Sequence, residues 1–184
     1  MGLFDTLFGR TRMTPGKTDQ LFALSTAQLD IEAKLDSPYG ERAALVLRAV
    51  DNSSYDALQK EMNDLLSMNG RDFTAHVTAQ TDNMGFHWLI FRGPNLEDAI
   101  NGLHMAADLL KQAGYSDSLL AAMFRFGDWY LIYSYRRASF YPFMPTGSSR
   151  RNESREFRIR QTLDGALPIE KDPERWYPLW DPPI

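Results

Sequence analysis

The chain has 184 residues, 43% of them hydrophobic, enough for one domain with a sizeable core. Its formal net charge is −4 and its pI is near 5.4, so overall charge gives no argument for nucleic acid as a partner. Cysteine is absent, which excludes disulfides, thiolate zinc sites and cysteine nucleophiles together. No run approaches the roughly 18 apolar residues that a membrane span requires. Asp5 interrupts the first apolar run, against a secretory signal. The expected compartment is cytoplasmic, with contact at the inner face of the membrane left open.

In the opening MGLFDTLFGR, Leu3, Phe4, Leu7 and Phe8 recur on one helical face, and Gly9 stops the pattern. Met1-Gly2 with Thr6 also fits a myristoylation pattern, which has meaning only in a eukaryote. Arg10 to Lys17 form a polar, basic link. A second helical pattern runs through Leu21, Phe22, Leu24, Leu29, Ile31 and Leu35. Ala43 to Val50 is a short apolar run that predicts a buried strand. Ser53 or Ser54 can cap a helix carrying Tyr55, Leu58, Met62 and Leu65, which Asn69-Gly70 would stop.

Phe73, Ala75, Val77 and Ala79 alternate with polar residues, a strand period of two. Asp82, Asn83 and Gly85 supply a turn, and Phe86 to Phe91 return as the partner strand. Asn95 then caps a helix whose stripe is Leu96, Ile100, Leu103, Ala107 and Leu110, with Gly114 at its end. A second hairpin, Leu119–Phe126 and Trp129–Tyr135, turns at Gly127-Asp128, with Gly first as a type II′ turn requires. Arg136 to Arg151 reads as a loop, and Glu153 to Leu163 as a short helix. The last twenty residues hold five prolines with Trp176, Tyr177 and Trp180, which excludes a regular helix or a central strand. Three stretches result: an amphipathic segment over 1–12, an α+β domain over 13–165, and a Pro/Trp-rich tail over 166–184 packed on that domain. The expected sheet is antiparallel, of about five strands, with helices on one face.

No nucleophile elbow, phosphate-binding loop or dinucleotide fingerprint occurs. His76 and His87 can face each other across the first hairpin, where two solvated sheet histidines are a commoner outcome than a metal pair. His104 sits one place off its helix's stripe. The scattered carboxylates fit solvated helix faces better than a catalytic pair. No catalytic residue, metal ligand or cofactor is assigned. Arg136, Arg137, Arg150 and Arg151 form a basic cluster among aromatics, which suits an anion, a lipid headgroup or acids of the same chain; nucleic acid is not expected. A small-ligand protein or enzyme would need a pocket between sheet and helices, with Arg136, Arg137 or Tyr135 on the ligand. A binding protein would present Leu3, Phe4, Leu7 and Phe8. Phe140, Tyr141, Phe143, Trp176 and Trp180 would either add to that surface or close the core.

Three segments carry a family likeness: MGLFDTLFGR; FYPFMP at Phe140–Pro145 with RRN at Arg150–Asn152; and LPIEKDPERWYPLW at Leu167–Trp180. In that order they resemble the PspA-associated PspAB family of actinobacterial phage-shock (envelope-stress) systems. The resemblance spans nearly the whole chain. It implies association with PspA, a coiled-coil protein that coats stressed inner membranes. It implies neither a catalytic activity nor a cofactor. The order of elements is also similar to secretion-chaperone and YbjN-type folds, which implies a protein-binding module by analogy of fold alone.

Overall fold

A computed structural model describes residues 19–48 and 76–184, together with positions 56, 57, 59, 60 and 64. The amphipathic segment at 1–12, the serine cap at 53 or 54 and most of the helix expected after it lie outside the described residues. Positions 56, 57, 59, 60 and 64 are helical.

A 3₁₀ turn, Asp19–Phe22, leads into helix α1, Ala23–Leu35. Leu21, Leu24, Ala27 and Ile31 lie on one side and are buried, while Phe22 and Leu29 fall off that stripe and are exposed. Asp36, in the left-handed region at φ 48°, ends the helix. Ser37 ties this corner to the sheet: its hydroxyl donates to the Leu35 carbonyl at 3.0 Å and accepts from Trp129 Nε1 at 2.9 Å.

The sheet has six antiparallel strands: β1 Tyr39–Leu47, β2 His76–Thr81, β3 His87–Arg92, β4 Leu119–Phe126, β5 Trp129–Ser134 and β6 Ser139–Phe143. Their order is β2-β3-β1-β4-β5-β6. β1 sits between β3 and β4, so both its edges are paired. Both of its faces are covered too, which explains why Ala43 to Leu47 read as a continuous apolar run. Ala43, Leu45 and Leu47 join the cluster beneath the helices; Ala44 and Val46 join a second cluster on the opposite face.

β1 begins four residues before the apolar run. Its register against β4 shifts between Tyr39 and Ala43, and Glu41 there has φ 57°. A bulge of this kind scrambles the two-residue period. Gly40 is required in it, because a Cβ would stand 2.9 Å from Arg125 Cγ.

Helix α2, Leu96–Gln112, begins as expected: the Asn95 side chain accepts from the Glu97 amide at 2.9 Å, and Glu97 and Asp98 occupy the first turn. Helix α3, Glu153–Leu163, also keeps its expected bounds, with Asn152 as its cap. At the Gly127-Asp128 turn, Phe126 pairs with Trp129, and positive φ falls on Gly127 alone, as type II′ geometry requires.

The loop expected over Arg136–Arg151 is instead the sixth strand, followed by a small two-stranded pair, β7 Pro145–Gly147 and β8 Arg150–Arg151. Pro142 argues against a central strand, but β6 is the sheet's edge, where a missing N–H is tolerated. The open side of β6 is partly covered by the tail: Phe140 N donates to Pro168 O and Glu170 N to Phe140 O, each at 2.8 Å. The tail then crosses the outer face of the sheet. Trp176, Leu179 and Ile184 are buried there in one cluster with Ile132, Tyr141 and Phe143.

Candidate functional site

The aromatic segments of the C-terminal half close the core. Phe140 and Phe143 are wholly buried, and Tyr141 and Trp176 nearly so. Trp180 is half-buried, its ring edge-on to Phe143 at 5.2 Å. Of the two roles open to these residues, the structure gives Phe140, Tyr141, Phe143 and Trp176 the interior one. These four side chains offer little surface to a partner. Their polar atoms point the same way: Tyr141 Oη donates to the Tyr177 carbonyl at 3.0 Å, and Trp176 Nε1 to the Glu170 carbonyl at 3.0 Å. Burial raises the Tyr141 pKa, with the neighbouring Arg151 charge working in the opposite direction.

Arg151 of the basic cluster is consumed within the chain. Arg151 Nε donates to both carboxylate oxygens of Glu156, at 3.0 and 2.8 Å. Its terminal nitrogens reach the Trp176 carbonyl at 2.7 Å and the Pro142 carbonyl at 3.4 Å. The same guanidinium lies 5.3 Å from the Phe143 ring centre. Glu156 is 1% exposed and also accepts from the Met144 amide at 2.6 Å. Burial raises its pKa; the Met144 amide and Arg151 pull it back. Arg151 thus joins β6, α3 and the tail, and its fork is filled by this carboxylate and these carbonyls. Arg137 lies 3.9 Å from Glu170, and Arg155 pairs with Asp128 at 2.9 Å. Arg136 is half-buried, and Arg150 is exposed on β8.

The space between sheet and helices is filled by apolar side chains from α1, α2, α3 and the inner strand positions. Tyr135, one candidate contact for an anion there, is completely buried. Its hydroxyl has no hydrogen-bond partner among the described residues. Burial holds its pKa well above the usual phenol value, helped by Tyr133 and Asp108. His76 and His87 do not face each other: His76 stands opposite Arg92 and His87 opposite Thr81. His87 is buried, with its Nδ1 2.8 Å from Thr81 Oγ1. Among the described residues, no group of three His, Asp or Glu is placed to hold a metal.

An open feature among the described residues lies on the other side of the helical layer. A cleft of about 430 Å³ runs between Phe22 and the outer face of α2, lined by Asn101, His104, Met105, Asp108, Leu109 and Gln112. These α2 positions follow one another at three- and four-residue steps, so they form a second stripe beside the buried one. The Phe22 ring tilts against His104 at 4.9 Å. Asp108 bridges His104 at 3.3 Å and Lys111 at 2.9 Å. Phe22 is 40% exposed and Leu29, seven residues further on, is 76% exposed. Sequence reading passed over this cleft, although its signal was present: Phe22 and Leu29 are apolar residues off the stripe that their own helix buries. Leu3, Phe4, Leu7 and Phe8 lie outside the described residues.

No described helix is long and apolar enough to cross a membrane. The family model described as PspA associated protein B matches residues 1–184, the whole chain. No curated protein matches it.

Proposed function

The chain belongs to the PspA associated protein B family, and we propose that it acts by binding a PspA-type coiled-coil protein, without catalysis, as an accessory of the bacterial envelope-stress response. The whole-chain family match carries this reading. The chemistry of the described residues is compatible with it: the arginine fork that would suit an anion is occupied by Glu156 and two carbonyls, and the sheet–helix interface is packed with apolar side chains. That packing weighs against a small-ligand pocket beneath the helices.

The proposed contact is the N-terminal apolar face, Leu3, Phe4, Leu7 and Phe8. An amphipathic face with anchors at helical spacing is the kind of element that enters a groove on a helical partner. The helical layer offers the adjoining surface, where Phe22 and Leu29 are exposed. Burial of Trp176 against the sheet weighs against the tail as the main contact.

The test uses purified PspA from the same organism and the full chain as bait. The wild-type chain retains PspA, and a chain with Leu3, Phe4, Leu7 and Phe8 all changed to serine loses it. Retention by the substituted chain would move the contact elsewhere. No retention by the wild-type chain would contradict the binding role itself.

A further inference from the structure

The cleft beside α2 is an apolar recess open to water. Phe22 forms one wall, and Met105 and Leu109 line the other from the helix. Exposed apolar surface of this kind costs roughly 25 cal/mol per Å² relative to a covered one. A suitable cover is tethered next to it. Leu3, Phe4, Leu7 and Phe8 lie at the head of the chain, joined to Asp19 by the ten residues 9–18. Asp19 opens the 3₁₀ turn that carries Phe22, so the tether ends roughly 6 Å from the cleft wall. Ten residues reach at most about 33–36 Å when extended, ample to fold the segment back. A short linker holds its cargo at about millimolar effective concentration, which fills even a weak site.

We infer that the cleft between Phe22 and α2 is the docking site for residues 3–8 of the same chain, which the free protein holds there and releases to a partner. The docking stands independently of the partner; the release step rests on the binding reading above.

Because the chain has no cysteine, Thr6→Cys provides a single attachment point for a spin label, off the apolar stripe. Methyl-labelled methionines report proximity. Met105 lines the cleft, and Met84, half exposed on the β2–β3 turn, serves as the reference. In the labelled full chain, Met105 loses most of its signal and Met84 keeps its own. Equal broadening of the two, or an intact Met105 signal, overturns the docking. Adding Leu7→Ser and Phe8→Ser to the labelled chain restores Met105 without touching any residue of the cleft; broadening that survives them also overturns it. If Met105 of an unlabelled chain broadens on mixing with labelled chain, the site is filled by a second copy and the cis assignment fails. Adding purified PspA restores Met105. A Met105 that stays broadened in the complex refutes release while leaving the docking intact, and a failure of PspA to bind at all is seen separately in the retention experiment.

Discussion

The tail over 166–184 and the Phe22 cleft are both aromatic surfaces near a chain end, yet the structure treats them in opposite ways. In the tail, the Trp176 and Tyr177 carbonyls are hydrogen-bonded to the domain by Arg151 and Tyr141, and the Trp176 ring nitrogen to the tail's own Glu170 carbonyl. Tyr130 Oη fastens the last residue through the Ile184 carbonyl at 3.1 Å. At the cleft, the Phe22 ring meets that of His104, and Phe22 remains 40% exposed. An aromatic cluster belongs to the interior when the polar atoms beside it also find partners inside. It is available to something else when only its own apolar area is at stake.

The largest expected effect comes from breaking the latch that closes the tail. Arg151→Leu leaves Glu156, 1% exposed, without its charge partner. Removing one member of a buried pair costs about 3–5 kcal/mol, read as a lower urea midpoint. A cost below about 1 kcal/mol, the range of surface pairs, would place the latch with those. Trp176→Ala removes the tail's main apolar anchor and should cost about 3 kcal/mol. It should also expose Ile132 and Phe143 to a hydrophobic dye, and an unchanged dye signal would mean that the tail is held without it.

The pH dependence sharpens the same side of the comparison. Glu156 has a pKa above the ordinary carboxylate value, because burial outweighs the Met144 amide and Arg151. Its folded form therefore binds a proton more tightly than the unfolded chain does. The stability it contributes is fully present below the ordinary value and is lost as pH rises through its folded pKa. Arg151→Leu removes the main opposing charge, so the variant should lose more stability than wild type as pH rises from the acid side of that range. Parallel stability–pH curves for the two proteins would refute this. Asn95→Ala, which removes the α2 cap, should cost about 1 kcal/mol by urea denaturation. Leu29→Ser, on the exposed side, should stay within about 0.5 kcal/mol of wild type. A loss above about 1.5 kcal/mol would show that Leu29 is core after all.

Much of the fold was legible because local chemistry and burial agreed. Asn95 with Glu97 and Asp98 marks the start of α2, Asn152 precedes α3, and Gly127-Asp128 sets a hairpin that pairs Phe126 with Trp129. The alternation of Val77 and Ala79 with Thr78 and Gln80 gave β2 its two unlike faces. What was hidden depends on distant parts of the chain. Pro142 argues for a loop until the strand is known to be an edge, and the cover on that edge comes from Pro168 to Glu170. The start of β1 is masked by a bulge at Gly40 and Glu41.

The site divides in the same way. Arg151 and the aromatics from Phe140 to Phe143 have the composition of a surface, and only the tertiary positions of Glu156 and Trp176 turn them inward. The cleft was overlooked because Met105 and Leu109 belong to the second stripe of a helix whose first stripe already accounted for its apolar residues.

Hydrogen exchange on the full chain, free and with purified PspA, tests the division between the two regions most directly. Peptides from 166–184 should exchange slowly in both states and stay unchanged, while peptides from 1–12 gain protection in the complex. New protection or opening confined to 166–184, with 1–12 unaffected, would contradict the account and make the tail the contact surface.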